Sequence, residues 1–325
     1  MVRRLEATDN VEIVAAESLG VRGLCCALTV GNRRVVIDPG LALGFYRHGH
    51  HPHPAQVAVG RIVRRRIVEL LRDATDVVLS HFHGDHVPLK DANPFQLSLE
   101  ALPDSFSGLR FWSKNGAEAH PRMRQRFHDL QELTLDGLRV VEGLSDGPLS
   151  FSLPVPHGEE DGHLGTVMMT RIELPHAVFV HASDIQLLNS EAVERILKWK
   201  PEVVLAGGPP LYLDSLSAYA RETAWRNAVR LAEGVDTLIV DHHLMRSEAG
   251  VRWLNELSQN TEGKVCSAAD FMRRPPLLLE ARRDELYNAV PVPAGWMDDY
   301  ARGKAETEPF LKLAVERGVI PPVSP

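Results

Sequence analysis

The sequence predicts a layered architecture of α-helices and β-strands, on three observations. Strand-like and helix-like stretches alternate along the chain, a pattern that builds sheets faced by helices. At four separate places a predicted strand runs out into a loop carrying a histidine or an aspartate, and sites in layered proteins gather at strand ends. With 325 residues, 44% of them apolar, the chain can bury a substantial core, as one large domain or two smaller ones.

Residues 11–15, 25–30 and 34–37 read as short strands, and Gly31-Asn32 is a hairpin signal between the last two. Asp38-Pro39-Gly40 closes the third. The segment 44–54, rich in histidine, glycine and proline, is a loop. A helix is expected over 54–73, where Val59, Ile62, Val63, Ile67, Leu70 and Leu71 form an apolar stripe. Arg61, Arg64, Arg65 and Arg66 on its other face read as solvated rather than as a phosphate patch. Residues 76–80 form a buried strand. Further on, 111–112 reads as strand and 117–130 as a helix broken near Pro121. Residues 149–155 alternate as a strand, and 167–174 with 177–180 as a hairpin. Ser190 caps a helix to Trp199. A strand at 203–205 precedes a helix over 217–233 that ends at Gly234, and 237–240 is a last buried strand. Helices are expected at 248–257, 276–287 and 309–317. No linker divides the chain, so residues 1–325 read as a single domain with a helical extension from about 264.

The densest chemistry lies in His81-Phe82-His83-Gly84-Asp85-His86. In an extended segment, residues two apart point the same way, so His81 and His83 can grip one ion. Gly84 permits a sharp bend, after which Asp85 and His86 can face a second ion. His157, Asp184 and His242 each follow another predicted strand. His163 is a rival to His157, and His243 is the alternative to His242, since alternation along a strand lets only one of that pair face inward. His176 and His181 read as structural, and His120 and His128 as solvated.

This set resembles the metallo-β-lactamase superfamily of dinuclear metallohydrolases, over about residues 11–245. Ile37-Asp38-Pro39-Gly40, Pro52-His53-Pro54, Ala206-Gly207-Gly208-Pro209-Pro210 and Asp241-His242-His243-Leu244-Met245-Arg246 resemble, more narrowly, a mainly archaeal branch of it. The resemblance implies an α+β fold, a four-layer αββα sandwich, with the site at one edge. It implies that His81, His83 and His157 hold one divalent metal ion and that Asp85, His86 and His242 hold another, with Asp184 between them. Zn is the expected metal, with Fe or Mn open. Such a pair lowers the pKa of a bound water to about 7, giving a metal-activated hydroxide that attacks an ester, lactone, amide or phosphoester. Asp85 would also orient that nucleophile, and Asp38 would accept a ligand imidazole N–H. Tyr46, Arg47, His53, Tyr212 and Arg246 are the candidate substrate contacts.

A formal net charge of −7 argues against a long nucleic-acid groove, so a small-molecule substrate is expected. The alternatives are a phosphodiesterase or nuclease, a di-iron oxidoreductase on the same fold, and a binding protein that has lost catalysis. Three cysteines, none in a disulfide-like pattern, and no apolar run long enough to span a membrane point to the cytoplasm. The C-terminal segment either covers the site or mediates a homo-oligomer. The metal reading stands only if His157, Asp184 and His242 fold back onto the turn at 80–87.

Overall fold

The computed structural model describes residues 10–103, 108–117, 119–134, 137–159 and 165–323. The first sheet has six strands: β1 (Val11–Ile13), β2 (Cys26–Val30), β3 (Arg33–Ile37), β4 (Asp76–Leu79), β5 (Arg110–Ser113) and β6 (Arg139–Val140), in that spatial order. β1 to β3 pair antiparallel, and β3 to β6 run parallel. After β7 (Ser145–Asp146) and β8 (Leu149–Phe151), the chain makes a separate ribbon of β9 (Val155–Pro156) and β10 (Thr166–Val167). β11 (Thr170–Glu173), β12 (Val178–Ser183), β13 (Val203–Ala206), β14 (Thr237–Val240) and β15 (Val265–Cys266) complete the second sheet, ordered β15-β14-β13-β12-β11-β8-β7. Here β12 to β15 are the parallel members. Both sheets thus open with antiparallel strands and continue with parallel ones.

The helices are α1 (Pro54–Asp73), α2 (Pro121–Leu133), α3 (Ser190–Lys198), α4 (Ala218–Glu233), α5 (Glu248–Asn260), α6 (Ala268–Phe271), α7 (Arg283–Ala289), α8 (Trp296–Ala301) and α9 (Glu308–Glu316). Side-chain alternation sorts the strands into layers. Ile37 and Val78 point inward with Leu149, Phe179, Leu205 and Ile239 of the facing sheet. Val36, Val77 and Leu79 point outward, against Ile67 and Leu71 of α1 and Leu130 of α2. On the other side Val180, Val204 and Val240 meet Ile196 of α3, Leu231 of α4 and Leu254 of α5. The four layers are therefore helix, sheet, sheet, helix, as expected from the sequence. Strands covered on both faces have no polar side, which is why β13 is apolar and buried throughout.

Several boundaries differ from expectation. Pro121 opens α2 rather than breaking it, because proline at a first helical position loses no hydrogen bond. Asn189, not Ser190, caps α3, its side chain accepting from Ala192 N at 3.0 Å. The strand foreseen at 149–155 is split between β8 and β9. The helix foreseen at 276–287 is reduced to α7. Tertiary pairing takes the preceding residues: Leu277 N donates to Ser18 O at 2.8 Å and Glu280 is drawn onto Arg22. The segment after 264 begins as strand β15 in the second sheet, and α9 then packs along α1. Arg61, Arg64 and Arg66 on the open face of α1 are spent on Glu308, the Gln96 carbonyl, and Glu12 with Glu69. Among the described residues, no helix is long and apolar enough to cross a membrane.

Candidate metal centre

Four strands deliver the cluster. β4 ends at Leu79 and the turn that follows closes with His86 N donating to His83 O at 3.0 Å. His157 follows β9, Asp184 follows β12, and His242 and His243 follow β14. Asp38, Ser183 and His242 hold left-handed backbone, with φ of 49°, 52° and 27°. Such conformations cost about 1–3 kcal/mol each and persist where the surroundings enforce them. Gly40 is required by contact, since a Cβ there would lie 2.3 Å from His86 C and Val87 N. The loop before β2 presses just as closely, and Gly23 N donates to His242 Nδ1 at 3.0 Å.

Asp184 is the hub. Its Oδ2 lies 3.3 Å from His81 Nε2, 3.2 Å from His157 Nε2, 3.7 Å from His83 Nδ1 and 3.4 Å from His243 Nε2. Its Oδ1 lies 2.8 Å from His86 Nε2 and 3.4 Å from His242 Nε2. Asp184 Oδ1 is buried and has no aligned hydrogen-bond partner among the described residues. His242 Nε2 is also 3.4 Å from Asp85 Oδ2. Four overlapping groups of donors emerge, each with ligand atoms within 4.8 Å of one another: His81, His83, His157 and Asp184; Asp85, His86 and His242; Asp184, His242 and His243; and Asp38, His81 and His86. Six imidazoles, His243 included, and the carboxylates of Asp85 and Asp184 crowd this space, a set of residue types that divalent cations fit.

Asp38 lies behind the cluster, fully buried. Its Oδ1 accepts from Ser80 N at 2.8 Å. Its Oδ2 takes Ser80 Oγ at 2.6 Å, Ser183 Oγ at 2.7 Å and His86 Nδ1 at 3.0 Å. Ser80 Oγ also lies 2.8 Å from His81 Nδ1. One carboxylate thereby steers two imidazoles, leaving both Nε2 atoms facing Asp184, the arrangement found behind metal-bound histidines. Burial opposes ionisation of Asp38, but His86 outweighs it and holds the carboxyl well below its ordinary value.

The imidazoles divide by charge. Burial and then the neighbouring His86 lower His81 to about 3. Burial and Arg246 lower His242 to about 4, and burial also lowers His157 and His243. Neutral imidazole is the ligating form. His86 is the exception. Burial disfavours its cation, but Asp184 and Asp38 on its two nitrogens prevail and raise its pKa well above the ordinary value. Asp184 and Asp85 are held well below theirs, because surrounding histidines overcome the cost of burial.

Sequence alternation left one place for either His242 or His243, yet both rings reach the cluster. β14 stops at Val240, and the left-handed turn at His242 ends the alternation on which that choice rested. His157 Nε2 and His243 Nε2 are 3.2 Å apart. His163 lies outside the described residues. His181 is structural, bonding to Leu24 O at 2.8 Å.

A cavity of about 400 Å³ opens beside the cluster, with Tyr212 and Arg246 in the wall facing Asp85 and His243. Arg47 reaches this wall from behind, its guanidinium 4.7 Å over the Tyr212 ring and donating to Arg246 O at 3.3 Å. The other two candidate contacts are elsewhere. His53 is buried as the N-cap of α1, accepting from Ala55 N at Nδ1 and meeting Val290 O at Nε2, 2.8 Å away. With both nitrogens used it is a helix cap and not a substrate contact. Tyr46 is 63% exposed and leans edge-on against His51, away from the cavity wall. Sequence reasoning missed Ser80 and Ser183. Each immediately precedes a ligand residue at a buried strand end, which is the signal that marks them.

Four layers with this cluster at their edge define a protein of the metallo-β-lactamase fold with a site suited to metal ions. No family model matches the chain. The chain belongs to the UPF0282 family. The UPF0282 protein of Methanosarcina mazei is 46% identical over 302 residues, covering 93% of this chain and 99% of its own length. That of Pyrococcus horikoshii is 32% identical over 298 residues, covering 87% and 95%. Among solved structures, Tm1679, described as a metal-dependent hydrolase of the β-lactamase superfamily, has a TM-score of 0.46 at 14% identity, covering 79% of this chain and 95% of that one. Unliganded yeast PDE1 has a TM-score of 0.45 at 14% identity, covering 79% and 96%.

Proposed function

We propose that the protein is a dinuclear metal-dependent hydrolase acting on a small-molecule ester, lactone, amide or phosphoester. The observation that carries this reading is the convergence of His81, His83, His157, Asp85, His86 and His242 around the single carboxylate of Asp184. In this reading the first three would hold one divalent ion and the next three the other, with Asp184 available to both. When bound, the ions, Zn first among the candidates, supply a nucleophile at neutral pH and polarise the oxygen of the bond under attack.

The chain's own residues prepare that chemistry. Asp38 fixes the tautomer of His86 directly and that of His81 through Ser80. Asp85 keeps a side-chain exposure of 19%, whereas His86 and His242 are fully covered. Of the two carboxylates in the proposed ligand set, that of Asp85 is the more accessible to a water in the cavity, and Oδ2 can orient that water and accept its proton. A cavity of about 400 Å³ suits a small molecule better than a polynucleotide.

The test is metal content and hydrolysis measured together. Asp184→Ala should lose most bound metal and its activity against a panel of esters and phosphoesters. His120→Ala, at an exposed position before α2, should change neither. Full activity in the Asp184 variant would refute the bridging role. Stoichiometric iron with redox activity and no hydrolysis would favour an oxidoreductase instead.

A further inference from the structure

Arg246 stands in the cavity wall beside the metal centre, where its guanidinium meets both Tyr212 and His242. Arg246 is 5% exposed. Its Nη1 donates to Tyr212 Oη at 3.2 Å and its Nη2 lies 2.8 Å from His242 Nε2, while its Nε has no hydrogen-bond partner among the described residues. The carboxylates nearest to it are Glu17 Oε2 at 3.5 Å and Asp85 Oδ2 at 3.6 Å. Neither makes a good hydrogen bond to it, and Asp85 is already assigned to a metal ion. Glu17 is a poor counter-charge: burial, followed by repulsion from Glu280, raises its carboxyl to about 8. Glu280 itself is taken by Arg22, which grips it at 2.7 and 2.5 Å. Arg47, stacked on the same tyrosine, has no carboxylate within ion-pair distance among the described residues. Two guanidinium groups thus converge on one phenol that lines the cavity, Arg246 from within the wall and Arg47 from behind the ring.

We propose that the substrate of this site is a small anion, whose carboxylate or phosphoryl oxygens rest on Arg246 and the Tyr212 hydroxyl. Arg47 adds its charge from behind the Tyr212 ring. The apolar remainder of the molecule lies along Leu188, Leu213 and Leu216, which line the same cavity. Arg246 Nη2 is 3.6 Å from Asp85 Oδ2, so the anionic group and the bond cleaved are only a few atoms apart. The planar fork of arginine suits carboxylate and phosphoryl oxygens equally. The word substrate rests on the hydrolase reading above, whereas the anion subsite does not.

The experiment uses the metal-loaded full chain and two 4-nitrophenyl esters of equal length, mono-4-nitrophenyl succinate and neutral 4-nitrophenyl valerate. The wild type should favour the anionic ester in kcat/KM by about tenfold or more, the scale of one charge-assisted hydrogen bond. Arg246→Gln, with rates normalised to bound metal because Arg246 also touches His242, should bring the ratio close to one, and Arg246→Lys should restore part of it. Arg47→Gln, at a half-buried position where folding is not at risk, should lower the ratio by about threefold. A wild-type ratio near one, or a ratio unmoved in both glutamine variants, overturns the proposal. If neither ester is cleaved, the hydrolase reading is what fails. Calorimetry with succinate and phenylphosphonate then decides the subsite and separates the two anions. Binding that weakens in both variants supports it, and binding that is absent or indifferent to them overturns it.

Discussion

Asp38 and His86 are 48 residues apart in sequence, and Asp38 Oδ2 receives His86 Nδ1 at 3.0 Å with both side chains wholly buried. The contact joins the end of β3 to the turn after β4, and it sets which nitrogen of His86 is free for a cation. Because Ser80 and Ser183 share the same oxygen, Asp38 connects both sheets through a single carboxylate.

Asp38→Asn is therefore expected to act on stability and on metal together. An amide cannot accept from Ser80 N, both serine hydroxyls and His86 at once, and breaking a buried charge network of this kind costs about 3–5 kcal/mol. Metal affinity should fall by about 10–100-fold, the usual effect of removing the acceptor behind a ligand histidine. Denaturant titration and equilibrium dialysis measure the two effects. Wild-type affinity in the Asp38→Asn variant would mean that His86 needs no such anchor.

The adjacent histidines after β14 should separate by metal stoichiometry. His242 Nε2 faces Arg246 Nη2 at 2.8 Å and Asp85 and His86, each 3.4 Å away, whereas His243 Nε2 faces His157 and the other oxygen of Asp184. His242→Ala should leave a chain that binds about one ion where the wild type binds two. His243→Ala should retain both. Elemental analysis after dialysis reads the difference, and the reverse pattern would assign the second ion to His243.

A third prediction concerns the opposite end of β4. Asp76 is buried and accepts from Arg33 at 2.5 and 3.0 Å, Arg110 at 2.8 Å, Trp112 at 2.8 Å and Thr75 at 2.7 Å. Burial alone would raise its pKa, but Arg33 and the other donors prevail and lower it from 3.8 to about 2. The folded chain thus binds fewer protons than the unfolded one between those values, so this stabilisation is complete above about pH 4 and is lost toward about pH 2. Asp76→Asn should cost about 3 kcal/mol at pH 7. The gap to the wild type should narrow as the pH is lowered through that window, with metal content unaffected. A gap independent of pH would mean that packing, not charge, is what the substitution removes.

Much of the sandwich could be read from residue order, because β4, β13 and β14 are short apolar runs, each closed by a polar loop. The cluster was legible for the same reason, since histidine and aspartate at successive strand ends have few other uses. What escaped was set by contacts between distant segments. Glu280 was expected within a helix, and its pairing with Arg22 is formed by residues 258 positions apart. His53 looked like a pocket residue because its surroundings were loop-like. Its role as a cap depends on Val290 O, which no local pattern announces. The inward turn of both His242 and His243 follows from one left-handed residue, and single-residue departures from regular backbone leave little trace in composition.

The grip of the C-terminal segment on the first half of the chain has a consequence for biosynthesis. Val290 O meets His53, Arg283 reaches Gln56 and the His50 carbonyl, and α9 lies along α1. These partners are made long after α1, so the nascent chain exposes the apolar flank of α1 until they have been translated. The histidine cluster is then already translated, while the segment that braces the loop behind Arg47 is not. A chain truncated before α7 would therefore be expected to expose the apolar flank of α1 and to engage chaperones.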